Sequence, residues 1–111
     1  MTVTVKELIP RKQAENTQTT QYTANSVTTI IDKFTATNTS LANVKLSVNL
    51  VTVSDTPGNE NLVLKERVIT PGETYFCPEL IGQVISNGGF ISTLADAATS
   101  ITISSGGREI T

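Results

Sequence analysis

The side chains that carry most catalytic and metal-binding chemistry are scarce in this chain, which has no histidine and one cysteine, Cys77. A Ser-His-Asp triad, a Cys-His pair and an imidazole metal site all need histidine, and a zinc site needs a cluster of cysteine or histidine ligands. No Gly-x-x-x-x-Gly-Lys-Ser/Thr segment occurs, and no Gly-x-Gly-x-x-Gly links a strand to a helix, so nucleotide phosphates have no loop to bind. We therefore expect no catalytic residues, no cofactor and no metal.

Oxygen ligands are concentrated in the segment DTPGNEN, which contains Asp55, Asn59, Glu60 and Asn61. This segment lacks the ligand spacing and the distant glutamate of a dedicated calcium loop, which favours a solvated turn. The ten acidic residues are otherwise scattered, so no carboxylate pair stands out for glycosidase chemistry. The sequence predicts a protein that is not an enzyme.

The segment ITISSGGREIT raises a different question, because Gly106-Gly107 resembles a ligand loop. A phosphate loop should lead into a helix, and only Arg108–Thr111 follow. Two structural interpretations remain: a Gly-Gly hairpin turn, or a glycine bulge within one long closing strand. The bulge is favoured because one inserted residue returns Ile110 to the core side. Arg108 and Glu109 would then lie at the rim, where a neighbouring subunit could meet them.

The bulk composition excludes several partners for this chain of 111 residues, which has 8 basic and 10 acidic side chains and a pI of about 5.0. No basic surface for nucleic acid is indicated, and no apolar run approaches the roughly 20 residues of a membrane span. The first residues lack a signal peptide, so we expect synthesis in the cytosol. Cys77 lies among apolar neighbours and is interpreted as a small buried hydrophobe rather than a reactive thiol.

Short stretches of alternating hydrophobicity dominate the remainder of the chain. The clearest is NVKLSVNL, in which Val44, Leu46, Val48 and Leu50 alternate with polar residues. The segment VTTIIDKFTATNTS places Ile30, Phe34 and Ala36 on one predicted strand face, while TPGE and SNGG are strong turn signals. Only 16% of residues are charged, and about a third are threonine, serine or asparagine. These patterns predict an all-β fold, an antiparallel β-sandwich of jelly-roll or Ig-like type with seven to eight short strands.

The N-terminal segment is predicted to stand apart from that sandwich. A short strand at Val3–Val5 is closed by Pro10, and the following polar tract contains little that could enter a core. Either it is a flexible surface segment, or it is an arm that orders on a neighbouring subunit. In the second case Tyr22 is the anchor, with Arg11 and Lys12 as rim contacts. The expected organisation is a strand and polar arm over residues 1–25 and a sandwich domain over residues 26–111.

Three segments together, IIDKFTATNTS, VITPGETYFCPELIGQVIS and SSGGREIT, resemble a family of small tailed-bacteriophage virion proteins. The similarity extends from about Gln13 to Thr111. It implies a structural component on the capsid surface of the virion that is made in the host cytoplasm, most simply a capsid cement or decoration protein. The implied partners are the major capsid protein and copies of the chain itself in a homo-oligomer, with no nucleic acid and no membrane. The alternatives are a tail, neck or adaptor component, or a receptor- or glycan-binding module.

Overall fold

The computed structural model describes all residues 1–111 and contains strands, turns and two single-turn 3₁₀ helices. The 3₁₀ helices are Asn59–Asn61 and Pro78–Leu80. The nine strands are β1 Val3–Gln13, β2 Thr19–Thr23, β3 Thr28–Asn38, β4 Val44–Val51, β5 Leu62–Ile69, β6 Thr74–Tyr75, β7 Val84–Ile85, β8 Phe90–Ala95 and β9 Ile101–Ile110. The strand number exceeds the predicted seven to eight because β6 and β7 have two residues each.

Two antiparallel sheets form the sandwich. Sheet A has the order β1-β9-β3-β6, with β7 also paired to β3, and sheet B has the order β2-β8-β4-β5. The pairs are nested along the chain, since β1 pairs with β9, β2 with β8, β3 with β6 and β4 with β5. A long antiparallel ribbon rolled into two sheets has this order, which is that of a jelly roll. The predicted all-β antiparallel sandwich is confirmed.

The core lies between the two sheets and follows the period of two along each strand. Val44, Leu46 and Val48 are buried as their alternation predicts. Leu50, the fourth residue of that pattern, is only partly buried, and Val51 is buried instead, after a register shift between Val48 and Asn49. Phe34 is the largest fully buried side chain, and it packs with aliphatic residues from both sheets. Burying one such side chain stabilises the fold by about 1.5–3 kcal/mol before the entropy cost of ordering the chain. The core therefore holds the sheets together without a disulfide, and Cys77 is free and buried within it.

The chain around Gly106-Gly107 continues as one strand, so the hairpin interpretation is wrong. The bulges lie in the two neighbouring strands: Leu8 is the extra residue in β1, and Asp32 is the extra residue in β3. Because β9 itself keeps its alternation, Glu109 faces inward and Ile110 stays on the outer face, contrary to the predicted return of Ile110 to the core.

The bulge in β3 also corrects the predicted core face of that strand. Ile31, rather than Ile30, is buried together with Phe34 and Ala36, because the extra residue Asp32 shifts the phase between them. The phase of β5 also changes along the strand, at Glu66, which has a positive φ of 47°. Ile69 is consequently buried there, while Val68 is exposed.

The predicted polar arm is instead two strands of the sandwich. Residues 3–13 form the edge strand β1 of sheet A, and residues 19–23 form the edge strand β2 of sheet B. The sequence signal was missed because the buried positions are few and widely spaced. They are Leu8, Ile9, Ala14, Tyr22 and Ala24. Pro10 does not end β1, because it lies at an irregular position of an edge strand, where a missing N–H is tolerated.

Candidate functional site

Tyr22 belongs to the protein interior and links the two sheets. It is 8% exposed, and its hydroxyl donates a hydrogen bond of 2.5 Å to the Glu109 carboxylate. Because that bond uses the only phenol proton, the Thr29 hydroxyl donates to Tyr22 Oη, at 2.6 Å. Lys6 Nζ lies 3.4 Å from the same Glu109 carboxylate oxygen. Tyr22 is thus a core residue, which corrects its predicted role as an anchor on a neighbouring subunit.

Burial also governs the acid-base behaviour of this group. Burial, followed by the hydrogen bond to the Glu109 carboxylate, raises the pKa of Tyr22 from 10.0 to about 12. The phenol therefore stays protonated through the physiological range and acts as a hydrogen-bond donor. Its arrangement with Glu109 and Thr29 is a structural link between strands β2, β3 and β9.

The other four predicted contact residues lie at separate places in ion pairs or hydrogen bonds. Arg11 pairs with Glu7 at 3.6 Å, and both side chains are largely exposed. Lys12 donates to Glu15 at 2.8 Å, and this hydrogen bond is the main reason why the pKa of Glu15 is lowered. Arg108 lies on the outer face of sheet A, and Glu109 lies on the inner face beside Tyr22.

Arg108 lies in the middle of an exposed row across the outer face of sheet A. Each member of this row lies directly opposite the next one in register: Val5 of β1, Arg108 of β9, Ile30 of β3 and Val84 of β7. Val5 is 85% exposed and Val84 is 57% exposed. The Arg108 guanidinium donates from Nε and Nη2 to the Asp32 carboxylate, with a shortest distance of 2.9 Å, and this bond raises the pKa of Arg108.

A second row continues this surface at the same end of the sheet, where Val3 of β1 and Ile110 of β9 lie opposite each other. We call the five apolar residues of the two rows the apolar end of sheet A: Val3, Val5, Ile30, Val84 and Ile110. Together they expose an area on the order of a few hundred Å², which is the size of the largest apolar patch on a typical soluble monomer, and such patches are often functional. Sequence reasoning missed this surface because the Asp32 bulge and the pairing of β7 bring its members together.

The opposite half of the same face is polar. A depression of 490 Å³ is lined by hydroxyl side chains of β3 and β9 together with two cationic side chains and no apolar side chain. The hydroxyl residues are Thr35, Thr37, Thr102, Ser104 and Ser105, and the cations are Arg11 and Lys33. Glu7 also lines it and pairs with Arg11, so the net charge there is small. No aromatic ring is present on which a sugar could stack.

A groove of 300 Å³ opens at the β4–β7 end of the molecule. Its apolar lining comes from Leu50, Val51, Val53, Val84 and Ile85. Val84 belongs both to this groove and to the apolar end of sheet A, so the two surfaces are continuous.

The two other sites that the sequence singled out, Cys77 and the segment DTPGNEN, contribute to the structure of the fold. Burial raises the pKa of the Cys77 thiol to about 12, so it is a weak nucleophile at neutral pH. In the segment DTPGNEN, the Asn61 side chain accepts hydrogen bonds from Gly58 N–H and from the Asn49 side chain, and thereby holds the loop against sheet B.

No group of three or more His, Cys, Asp or Glu side chains is placed to hold a metal ion. No helix in the structure has the length and apolar character needed to cross a membrane.

Comparison with known proteins gave no match: no protein-family model, no curated protein and no solved structure is similar to this chain. The functional argument therefore rests on the residues and surfaces described above.

Proposed function

We propose that this chain is a non-enzymatic structural protein of a bacteriophage virion, a capsid cement or decoration protein that bridges subunits of the major capsid protein. The observation that carries the proposal is the apolar end of sheet A, an exposed apolar surface on a two-sheet sandwich. The resemblance of three sequence segments to small tailed-phage virion proteins supports it. The jelly roll occurs in viral capsid proteins, but it also occurs in lectins and cupins, so the fold alone does not decide the function.

The size of the apolar end fits a protein that binds a repeating lattice. A stable interface buries about 800 Å² per partner, and the apolar end supplies only part of that area. Weak contacts become strong when many copies bind a symmetric shell and each copy bridges two subunits. In this role Val5 and Val84 contact the major capsid protein, and Arg108 with Asp32 provides the polar part of the contact.

Copy number on purified particles tests the proposal most directly. Quantitative gel densitometry of virions should give hundreds of copies, comparable to the major capsid protein. A dozen copies or fewer would refute the cement role and favour a tail, neck or adaptor component. Absence from the particle would refute a virion role altogether.

A pair of matched variants tests whether the apolar end binds the shell. Val84→Lys places a charge on the outer face of sheet A, whereas Val68→Lys places one on sheet B at a valine of comparable exposure, 42%. Capsids from a phage that lacks the protein should bind the Val68→Lys variant like wild type and bind Val84→Lys at least about tenfold more weakly. Equal binding of the two variants would show that another surface contacts the capsid.

The polar depression on sheet A favours one second candidate, a glycan-binding module. The hydroxyl groups of Thr35, Thr102 and Ser104, beside Lys33 and Arg11, could accept and donate hydrogen bonds to a saccharide. A glycan array with wild type and Lys33→Ala tests it: binding that the substitution abolishes would favour this candidate over the capsid role, and an empty array would refute it.

A further inference from the structure

The N-terminal half of β1 is an unprotected sheet edge. β1 pairs only with β9, so its other edge has no strand partner. From Val3 to Glu7 its register with β9 is unbroken, and the ladder extends one residue further, where Thr111 N–H donates to the Thr2 carbonyl at 3.0 Å. All residues of this stretch are exposed, so sheet B covers neither of its faces. A row of backbone donors and acceptors is therefore accessible from one side.

The other sheet edges carry features that prevent such pairing. β5 has the charged run Lys65-Glu66-Arg67 and an irregular backbone at Glu66. β2 has five residues with a register shift, and β6 and β7 have two residues each. Charges, bulges and short length are the usual means by which proteins block edge-to-edge association. The stretch Thr2–Val5 has none of them.

The charged residues that follow this stretch are already paired within the chain. Lys6 lies beside Glu109, and Glu7 lies beside Arg11. Further along, the bulge at Leu8 ends the regular edge. The segment available to a partner strand is therefore Thr2–Lys6, with β-branched residues at its four leading positions, which is a composition with high β-propensity.

We propose that a second copy of this chain docks on this edge, with the two β1 strands antiparallel about a two-fold axis at Thr4, so that the sheets A of both copies become continuous. This register uses all of Thr2–Lys6 from each copy. It places Val3 of each copy opposite Val5 of the other copy, and Thr2 of each copy opposite Lys6 of the other. No two like charges face each other, and a pairing of the same segment with itself is what a closed two-fold dimer requires.

Neighbouring registers are less favourable. An axis at Val5 would set each Val3 opposite the charged Glu7 and would leave Thr2 opposite the bulge at Leu8. If the axis moved by two residues to Lys6, two lysines would face each other across it, and like charges directly opposite destabilise a strand pair. Shorter overlaps leave part of the edge unpaired. The register centred at Thr4 also brings the apolar ends of both copies side by side, which extends the exposed apolar surface across the dimer.

Cysteine cross-linking tests the register at single-residue resolution. Opposite residues of an antiparallel pair have Cα atoms about 4.5–5.5 Å apart, within the range that a disulfide spans. Thr4→Cys therefore should form a disulfide-linked dimer, of twice the 11.8 kDa of the chain, under mild oxidation. In the matched control Val5→Cys, the Cα atoms of the two substituted residues would be about 8 Å apart, which is too far for a disulfide bond. The native Cys77 is buried and does not interfere.

We expect Thr4→Cys to cross-link at least about tenfold faster than Val5→Cys at equal concentration. Equal rates would indicate random collisions and would overturn the proposal. Circular dichroism of both variants verifies that they are folded, since both positions are exposed.

A pair of double variants tests the same register without covalent chemistry. Val3→Lys with Val5→Lys puts like charges opposite each other twice, whereas Val3→Lys with Val5→Glu puts opposite charges there. Sedimentation equilibrium should show that the first variant dissociates at least about tenfold more readily than the second. Equal dissociation constants would refute the register. These experiments use the purified protein alone, so their failure is distinct from a failure of the capsid role, which the copy number decides.

Discussion

The hydrogen bond from Tyr22 to Glu109 gives a quantitative test of how the two sheets are joined. The substitution Tyr22→Phe removes one hydroxyl and leaves the ring in the core. The Glu109 carboxylate then keeps only Lys6 as a charged neighbour, and the Thr29 hydroxyl, which is fully buried, loses its acceptor. The substitution therefore removes two hydrogen bonds and fills no new space.

The expected loss of stability follows from these contacts. A hydrogen bond to a charged group contributes about 1.5–3 kcal/mol, and a buried polar group without a partner costs about 1–3 kcal/mol. The Glu109 side chain is 15% exposed, so water replaces part of the lost bond. We expect Tyr22→Phe to lower the free energy of unfolding by about 2 kcal/mol. For a chain of this size that corresponds to a fall in Tm of about 8 °C.

Tyr75 provides a matched control in the same chain. Its hydroxyl donates to the Glu79 carboxylate at 2.6 Å, but Glu79 is exposed and water can take over the bond. Tyr75→Phe should therefore cost less than about 1 kcal/mol in urea unfolding followed by circular dichroism. If the two variants lose the same stability, or if Tyr22→Phe loses none, the buried link between the sheets does not contribute as we argue.

The same substitution changes the pH dependence of stability. The pKa of Tyr22 is raised in the folded state from 10.0 to about 12, so this group stabilises the fold below pH 10, and the contribution is lost as the pH rises toward 12. Tyr75 is shifted in the same direction, chiefly by burial, and remains in both proteins. The fall in Tm between pH about 9 and about 11 should be smaller in Tyr22→Phe than in wild type. An identical fall would contradict the assignment.

Three further predictions concern the fold. Deletion of residues 1–21 should give an unfolded chain by circular dichroism, because it removes β1 and most of β2; a folded product would restore the arm interpretation. Gly107→Ala should cost about 2–3 kcal/mol in urea unfolding because its methyl group would meet the Ile30 carbonyl oxygen, whereas at Gly106 the nearest atom is 3.8 Å away and alanine should cost less than about 1 kcal/mol. Cys77 should resist a thiol reagent such as DTNB in the native protein and react after unfolding; rapid native labelling would contradict its burial and raised pKa.

The strands that alternate strictly were predictable, and those with bulges were not. Val44, Leu46 and Val48 point inward as their spacing indicates. The extra residue Asp32 has no sequence signature of its own, because an aspartate is equally compatible with an ordinary outward-facing position of a strand. Its presence exchanges Ile30 for Ile31 in the core and creates the exposed row on sheet A.

The part of β1 beyond the predicted strand at Val3–Val5, and the whole of β2, escaped prediction for a related reason. A strand at the edge of a jelly roll needs few apolar residues, because its neighbour supplies the backbone partners and the core covers only part of its length. Tyr22 alone carries much of the burial in β2, and a single aromatic residue in a polar tract gives no period. Pairing between residues far apart in the chain, such as Val3 with Ile110, is invisible to local patterns.

The position of β9 in the middle of sheet A affects how each copy of the protein is made. β9 lies between β1 and β3, and it is the last of the nine strands to be synthesised. Until Ile101–Ile110 leaves the ribosome, β1 has no strand partner and β3 has only the short strands β6 and β7. The closing contacts join residues about a hundred positions apart, and such distant pairings fold slowly. Each nascent chain therefore carries two long strands without their main partner until β9 has been synthesised, and unpaired strand edges of this kind favour aggregation.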